Sequence, residues 1–173
     1  MLENEDIRRF NEIREVIKNM VKILFICNGN ICRSPMAEYL LKDIVKKRGI
    51  ATQFHIQSCA TSTEEIWNGV GNPVHPGTKQ KLAEAGISCD DKRAVQLKKS
   101  DYKEYDYLIC MDSQNVRNAE RICGKDRDGK IYRLLDFTEE KRDVADPWYT
   151  GNFDKTYEDI LKGLEAFLDY LNY

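Results

Sequence analysis

Residues 21–37 read VKILFICNGNICRSPMA, and they predict how the chain is built. The apolar, β-branched run from Val21 to Ile26 predicts a buried strand. Pro35, followed by a helical pattern from Met36, predicts that a helix opens a few residues later. A strand that passes through a short glycine-containing loop into a helix points backbone N–H groups at one spot, and the helix dipole adds positive potential there. The stretch therefore predicts an anion-binding loop.

Two side chains suggest what this loop does with an anion. Cys27 lies at its electropositive mouth, an environment that favours a reactive thiolate. Arg33 offers a planar fork of donors that matches phosphate oxygens. A nucleophile beneath a phosphate-binding loop implies attack on phosphorus. The alternative is that Cys27 is a small buried hydrophobe, which would leave Asn30, Arg33 and Ser34 around it unexplained.

Length and composition limit the possible classes of protein. The chain has 173 residues, of which 42% are hydrophobic, so one domain with one sizeable core is expected. Its 27 basic and 29 acidic residues give no basic field that would indicate nucleic acid or an anionic membrane as a partner. No apolar run approaches the ~18 residues needed to span a bilayer. The N-terminus is acidic and unlike a secretory signal, so a cytoplasmic location is expected.

We divide the chain into residues 1–20, an N-terminal amphipathic helical extension, and residues 21–173, the main domain. Apolar residues recur every three or four positions in the extension, namely Ile7, Phe10, Ile13, Val16, Ile17 and Met20. This stripe could pack on its own domain, pair with a second copy, or bind another partner. The first alternative is favoured on sequence alone.

Strands and helices alternate along the rest of the chain. Beyond the first loop, strands are predicted at residues 54–58, 105–111 and 131–135, and helices at 35–48, 78–85, 112–122 and 156–170. Residues 61–77 are rich in Thr, Gly, Asn and Pro and are predicted to form a loop, in which Trp67 either walls a cleft or fills a surface hollow. The alternation predicts a single-domain α/β fold, a doubly wound parallel four-stranded sheet with helices on both faces. A ligand then belongs at the carboxyl end of the first strand, where Cys27 lies.

The segment CNGNICRSPMAE (27–38) resembles the signature loop of the low-molecular-weight protein tyrosine phosphatases. Segments at 58–62, 71–73, 106–112 and 146–149 are similar to later motifs of that family, in the same order, so the resemblance covers about residues 21–171. It implies a flavodoxin-like four-stranded fold and hydrolysis of phosphotyrosine through a phosphocysteine intermediate. It implies phosphotyrosine-containing proteins as substrates and neither a cofactor nor a metal.

A leaving phenolate needs a proton, and Asp146 is the candidate acid. Pro147 restricts its backbone and stiffens the loop that presents it. The alternative is an ordinary Asp-Pro turn, but the family's pattern of Asp-Pro followed by two aromatic residues favours the acid. Trp148 and Tyr149 offer flat faces for stacking against a phenyl phosphate.

The remaining site residues belong to the loop itself. Backbone N–H groups from Asn28 to Arg33 are expected to hold the phosphoryl oxygens. Ser34 can donate to the Cys27 sulfur, while Gly29 and Asn30 support the tight turn, because asparagine tolerates a left-handed backbone. The candidate catalytic residues are Cys27, Arg33 and Asp146, and the candidate phosphate- or substrate-binding residues are Asn28, Gly29, Asn30, Ile31, Cys32, Ser34, Trp148 and Tyr149.

One position departs from the family pattern. In similar proteins the asparagine at position 30 is tied to a serine at the Ser58 position and often to a histidine further on. Lys92 holds the corresponding place here, which makes the bracing of the loop uncertain.

The six cysteines show neither zinc-ribbon spacing nor a C-x-x-C motif, so reduced thiols are expected. Cys32 is the exception, because it lies in the same loop as Cys27. The family resemblance implies a reversible Cys27–Cys32 bridge under oxidation.

Three other functions remain open. A protein arginine phosphatase shares the fold, but similar enzymes carry threonine where this chain has Ile31. A thiol-linked arsenate reductase needs a relay of cysteines, and although Cys110 could be the first, Arg117 stands where the second is expected. A non-catalytic phosphate-binding module would not need Asp146.

Overall fold

The computed structural model describes residues 2–173, with side chains from residue 4 onward. Residue 1, part of the predicted extension, lies outside the described residues. The helices are α1 (Leu2–Lys18), α2 (Arg33–Lys47), α3 (Pro76–Glu84), α4 (Asp101–Glu104), α5 (Ser113–Cys123), α6 (Pro147–Thr150) and α7 (Phe153–Tyr170). The strands are β1 (Val21–Cys27), β2 (Phe54–Ala60), β3 (Ile66–Trp67), β4 (Val70–Gly71), β5 (Tyr107–Cys110) and β6 (Ile131–Arg133).

The main sheet has four strands in the order β2-β1-β5-β6. All three neighbouring pairs are parallel, and β1 pairs with β2 along its whole length, from Val21 opposite Phe54 to Cys27 opposite Ala60. The predicted doubly wound parallel sheet is confirmed. Because β1 is central, its carboxyl end and the loop that follows it are enclosed by the ends of both neighbouring strands.

The alternating side chains of β1 explain why helices cover both faces of the sheet. Ile23 and Phe25 point to one face, where they are completely buried in a cluster that includes residues of α2 and α7. Leu24 and Ile26 point to the other face and pack in a cluster with residues of α5. A strand buried on both faces reads as a continuous apolar run, as residues 21–26 do.

The predicted helices are present, with shifted ends. Helix α2 begins at Arg33, two residues before Pro35. Asp112 caps α5 as predicted, in a capping box with Asn115. Helix α3 begins at Pro76, because the imidazole Nδ1 of His75 accepts the N–H of Gly77 and caps the helix.

The predicted loop at residues 61–77 contains an antiparallel hairpin, β3–β4, so the loop assignment was wrong at that point. Asn68 and Gly69 form its tip, both with positive φ (49° and 76°), as a type I′ turn requires. At its base, a Cβ on Gly71 would lie 1.9 Å from the backbone oxygen of Ala94, so only glycine fits there. The hairpin is therefore fixed at its base to the segment around Ala94.

Helix α1 forms as predicted but does not pack on the domain. Every described side chain from residue 4 to residue 18 is exposed, and the apolar residues Ile7, Phe10, Ile13, Val16 and Ile17 are each about half exposed or more. The expectation that the stripe packs across its own domain was wrong, because these apolar side chains remain exposed. Along residues 2–173, no helix is both long and apolar enough to cross a membrane.

Because α1 has all its described side chains exposed, removing residues 1–18 should leave the domain intact. We expect the melting temperature of the truncated protein to lie within about 2 °C of that of the full chain, since exposed positions contribute within about ±0.5 kcal/mol each. Differential scanning calorimetry at low protein concentration measures this. A large loss of stability would show that the stripe is covered in solution.

Candidate active site

A pocket opens at the carboxyl end of β1, where the sequence placed it. The residues lining it are Cys27, Asn28, Gly29, Ile31, Cys32, Arg33, Glu64, Glu65, Asp146, Trp148 and Tyr149. Nine of these are predicted site residues. The remaining two predicted residues, Asn30 and Ser34, are buried behind the pocket. Residues 27–34 and 146–149, separated by more than a hundred positions in the sequence, thus form one site.

The sulfur of Cys27 lies at the base of the pocket among hydrogen-bond partners. The backbone N–H of Asn30 donates to Sγ at 3.3 Å, and Ser34 Oγ lies 3.0 Å from Sγ. No side chain caps the N-terminus of α2, so the orphan N–H groups of its first turn remain available to an anion in the pocket. Each of these features stabilises negative charge on or above the sulfur.

Asn30 holds the loop in shape. Its φ is 58°, the left-handed conformation expected from the sequence. Its side-chain amide donates to Ser34 Oγ at 2.8 Å and to Ser58 Oγ at 2.9 Å, and its Oδ1 accepts the N–H of Val95 at 3.1 Å. Since the Val95 N–H can only donate, the amide orientation is fixed and its nitrogen must donate to both serines. Ser34 therefore keeps its own hydrogen for donation, with the sulfur of Cys27 at 3.0 Å as the nearer acceptor and the Cys59 carbonyl at 3.5 Å.

Arg33 is buried, and carboxylates hold it in place. Its Nη1 donates to Asp112 Oδ2 at 2.7 Å and to the Val144 carbonyl at 2.8 Å, while Nη2 lies 3.3 Å from Asp146 Oδ2. Burial alone would lower the pKa of the guanidinium, but Cys27, Asp146 and Asp112 outweigh it, so the pKa lies above its ordinary value. The group is a permanent cation next to the sulfur.

Asp146 stands across the pocket from the loop. Its Oδ1 accepts the N–H of Trp148 at 3.0 Å, which caps the short helix α6, and Pro147 occupies the first turn. These contacts fix the carboxyl group over the same space that Cys27 and Arg33 border. The aromatic side chains that follow stand at the rim, and Tyr149 is 84% exposed. The arrangement combines a nucleophile, an anion-binding loop and a group able to transfer a proton.

Lys92 stabilises the loop through Ser58 rather than through a direct contact with Asn30. Its Nζ donates to the Ser58 carbonyl at 3.0 Å and lies 3.6 Å from Glu38 Oε2, and Ser58 Oγ donates to the same carboxylate oxygen at 2.7 Å. Glu38 is only 1% exposed and Lys92 8%. Burial lowers the pKa of Lys92 and the charge of Glu38 opposes this shift. The buried Lys92–Glu38 pair therefore supports Ser58, which in turn contacts Asn30.

The sequence reading missed three carboxylates of the site. Asp112 was interpreted only as a helix cap, yet it binds Arg33, and its position directly after β5 could have indicated this because parallel strand ends meet at one edge. Glu64 and Glu65 line the pocket from the loop before the hairpin, and no local pattern marks them. Trp67 neither lines the pocket nor fills a hollow, since it is 73% exposed.

All six cysteines are buried and unpaired, as expected for reduced thiols. Burial and the nearby Cys27 raise the pKa of Cys32 to about 12, so its thiol is protonated at neutral pH. The reversible Cys27–Cys32 bridge under oxidation remains a prediction. Burial also raises the pKa of Cys110 well above its ordinary value, which lends no support to a relay of reactive cysteines.

Comparison with known proteins identifies the family of the chain. The family model of the low molecular weight phosphotyrosine protein phosphatases matches residues 22–173. YfkJ of Bacillus subtilis, a low molecular weight protein-tyrosine-phosphatase, is 39% identical over 151 residues, which cover 86% of this chain and 94% of YfkJ. The YfkJ crystal structure has a TM-score of 0.83 at 37% identity, covering 88% of this chain and 95% of that chain.

Two further solved structures are similar. The low molecular weight protein tyrosine phosphatase SP-PTP of Streptococcus pyogenes has a TM-score of 0.75 and 40% identity, covering 88% of this chain and 93% of its own. The Drosophila arginine phosphatase DARP has a TM-score of 0.78 at 27% identity, covering 88% and 99%. The match of the family model to nearly the whole domain, together with these relatives, shows that the chain belongs to the low molecular weight phosphotyrosine protein phosphatase family.

Proposed function

We propose that this protein hydrolyses phosphotyrosine in protein substrates through a phosphocysteine intermediate. Cys27 is the nucleophile, Arg33 and the loop N–H groups bind the phosphoryl oxygens, and Asp146 is the general acid and base. The observation that carries the proposal is the convergence of these three side chains on one pocket, with Ser34 Oγ 3.0 Å from the Cys27 sulfur. Membership of a phosphatase family supports the reaction class.

In the first step, the Cys27 sulfur attacks phosphorus and the bond from phosphorus to the tyrosine oxygen breaks. Asp146 gives its proton to that oxygen, so tyrosine leaves as the neutral phenol. Asp146 Oδ2 pairs with Arg33 Nη2 at 3.3 Å. A phosphoryl group that binds Nη2 takes over this contact and leaves the carboxyl group of Asp146 facing the leaving oxygen.

In the second step, water attacks phosphorus and the sulfur–phosphorus bond breaks. Asp146 takes a proton from the water, and the sulfur departs as a thiolate that accepts the hydrogen bond of Ser34. The loop and Arg33 hold the three equatorial oxygens through both transition states. The products are tyrosine and inorganic phosphate.

Three residues support phosphotyrosine as the substrate. Trp148 and Tyr149 at the rim offer faces on which a phenyl ring can stack. Ile31 lines the pocket with an apolar side chain, where similar protein arginine phosphatases have threonine. The arginine phosphatase among the structural neighbours keeps phosphoarginine as the second candidate substrate.

The proposed chemistry uses only groups of the chain itself, so we expect it to proceed without metal and in the presence of a chelator. Six unpaired thiols suit a reducing compartment, which supports a cytoplasmic location.

We also propose that Lys92 and Glu38 position the loop. Glu38 Oε2 accepts the hydrogen of Ser58, and Ser58 Oγ in turn accepts from Asn30. Lys92 Nζ lies 3.6 Å from the same carboxylate oxygen and is its buried cationic partner. The pair therefore acts on Cys27 through two serines and an asparagine, without touching the substrate.

Replacing Cys27 with Ser should abolish steady-state hydrolysis of para-nitrophenyl phosphate and phosphotyrosine peptides, because the alcohol is a far weaker nucleophile. Asp146→Ala should lower kcat by about 10²–10⁴-fold, most strongly for substrates with poor leaving groups. Activity remaining in Cys27→Ser, or an equal loss in Asp146→Ala for all leaving groups, would contradict the assigned roles.

The substrate assignment predicts a ranking among three peptides of one sequence. The kcat/KM for the phosphotyrosine peptide should exceed those for the phosphoserine and phosphoarginine peptides, because the pocket has aromatic faces for the phenyl ring. Phosphate release in the presence of EDTA measures all three. A higher value for phosphoarginine would favour the second candidate substrate.

The Lys92→Met variant should lose about 2–4 kcal/mol of stability, because Glu38 would be left with a weaker counter-charge in the core. Its kcat should fall more than its KM changes, and the pH dependence of Cys27 alkylation should shift. Lys42→Met removes the exposed partner of Glu38 and should cost less than about 1 kcal/mol. An unchanged kcat and alkylation profile in folded Lys92→Met would contradict a positioning role.

A further inference from the structure

Two carboxylates border the anion-binding pocket and form no salt bridge with any residue that the structure describes. Glu64 and Glu65 line the same pocket as Cys27 and Arg33. Such an arrangement opposes the approach of a phosphorylated ligand, which itself carries about two negative charges. Binding of the phosphoryl group therefore does not explain why Glu64 and Glu65 lie at this pocket.

The backbone holds this acidic rim close to the phosphate-binding loop. The N–H groups of Thr61 and Ser62 donate to the carbonyls of Cys27 and Asn28, at 3.0 and 2.9 Å. Glu65 then packs on Gly29, where a Cβ would lie 3.1 Å from Glu65 Cγ. Residues 61–65 thus lead from hydrogen bonds at the end of the nucleophile strand to the rim, and a side chain at position 29 would displace Glu65 slightly.

Hydrogen bonds to amides keep the two side chains in place. Asn72 Nδ2 donates to Glu65 Oε2 at 2.7 Å, and Asn28 Nδ2 lies 3.4 Å from Glu64 Oε2. Amide donors orient a carboxylate but leave its charge uncompensated. Glu65 is therefore oriented by a short hydrogen bond, whereas the exposed Glu64 has the longer contact with Asn28.

The other two carboxylates of the site do have a cationic partner. Asp112 and Asp146 both pair with Arg33. In the part of the chain that the structure describes, neither Glu64 nor Glu65 forms a salt bridge, and no group of three or more metal-ligating side chains surrounds them. A basic side chain of a bound substrate is therefore free to pair with these carboxylates.

We propose that Glu64 and Glu65 make the enzyme selective for phosphotyrosine flanked by lysine or arginine, and that they disfavour phosphotyrosine in acidic segments. This inference rests on the proposed function, because it describes the peptide that surrounds the phosphotyrosine. The phosphoryl group binds at the loop, and the neighbouring residues of the substrate pass over the rim. A basic side chain there meets uncompensated carboxylates, whereas an acidic one adds repulsion.

Coulomb's law sets the size of the effect. One pair of unit charges about 8 Å apart in partly solvated surroundings changes a binding constant by a factor of about five. With two carboxylates in the rim, the kcat/KM for a peptide with basic flanks should therefore exceed that for a peptide with acidic flanks by more than about tenfold. Salt weakens such exposed interactions, so the preference should shrink between about 0.02 and 0.5 M ionic strength.

The test uses three phosphotyrosine peptides of equal length with Lys, Ala or Glu on both sides of the phosphotyrosine. Their kcat/KM values are compared for the wild-type protein, Glu64→Gln, Glu65→Gln and the double variant. Glutamine keeps the shape and one acceptor oxygen, so the contacts with Asn28 and Asn72 can persist. Glu104→Gln is the matched control, because Glu104 is exposed on α4, at the opposite end of the sheet.

We expect the wild-type protein to prefer the Lys-flanked peptide over the Glu-flanked peptide by more than about tenfold. The double variant should reduce this ratio to about twofold, mainly by accelerating the Glu-flanked peptide, and Glu104→Gln should keep the wild-type ratio. Equal rates on all three peptides, or a ratio that survives in the double variant, would overturn the rim assignment while leaving phosphotyrosine hydrolysis established. Failure to hydrolyse any of the three peptides would instead overturn the proposed function.

Discussion

The hydrogen bonds of Asn30 are the constraint on which the site depends. The side chain of Asn30 forms hydrogen bonds with Ser34, with Ser58 on β2 and with the backbone of Val95. The backbone N–H of Asn30 donates to the sulfur of Cys27. The left-handed backbone at this position stores strain, which the surrounding contacts must offset. Three separate parts of the chain therefore have to be in place before the loop can adopt its shape.

Arg33 shows how a buried cation can be both fixed and available. Its Nη1 is held by Asp112 at 2.7 Å and by Val144 at 2.8 Å, whereas the contact of Nη2 with Asp146 is longer, at 3.3 Å. An incoming anion can compete for Nη2 without disturbing the anchors on Nη1. Orientation and binding are thus assigned to different nitrogens of one guanidinium, a division that a lysine could not provide.

The fold and the central residues of the site could be predicted from sequence because their signals are local. The buried run at Val21–Ile26, the turn after it and the Asp-Pro pair each have a pattern that physical rules interpret. Two further local signals were present in the sequence but not interpreted. Asp112 directly follows a predicted strand, and Asn68-Gly69 is typical of a hairpin turn. Glu64 and Glu65 had none, since their place depends on hydrogen bonds from residues 61 and 62 to a strand end thirty-four residues earlier.

The close approach of Gly71 to Ala94 has a mechanical consequence. Asn72, beside that contact, donates to Glu65 and accepts from the N–H of Ala94, so the base of the hairpin couples the acidic rim to the segment that holds Lys92 and Val95. The tip at Asn68 and Gly69 is exposed and lies beyond this attachment. We therefore expect chain length at the tip to be variable, because the tip lies outside the contacts that hold the base.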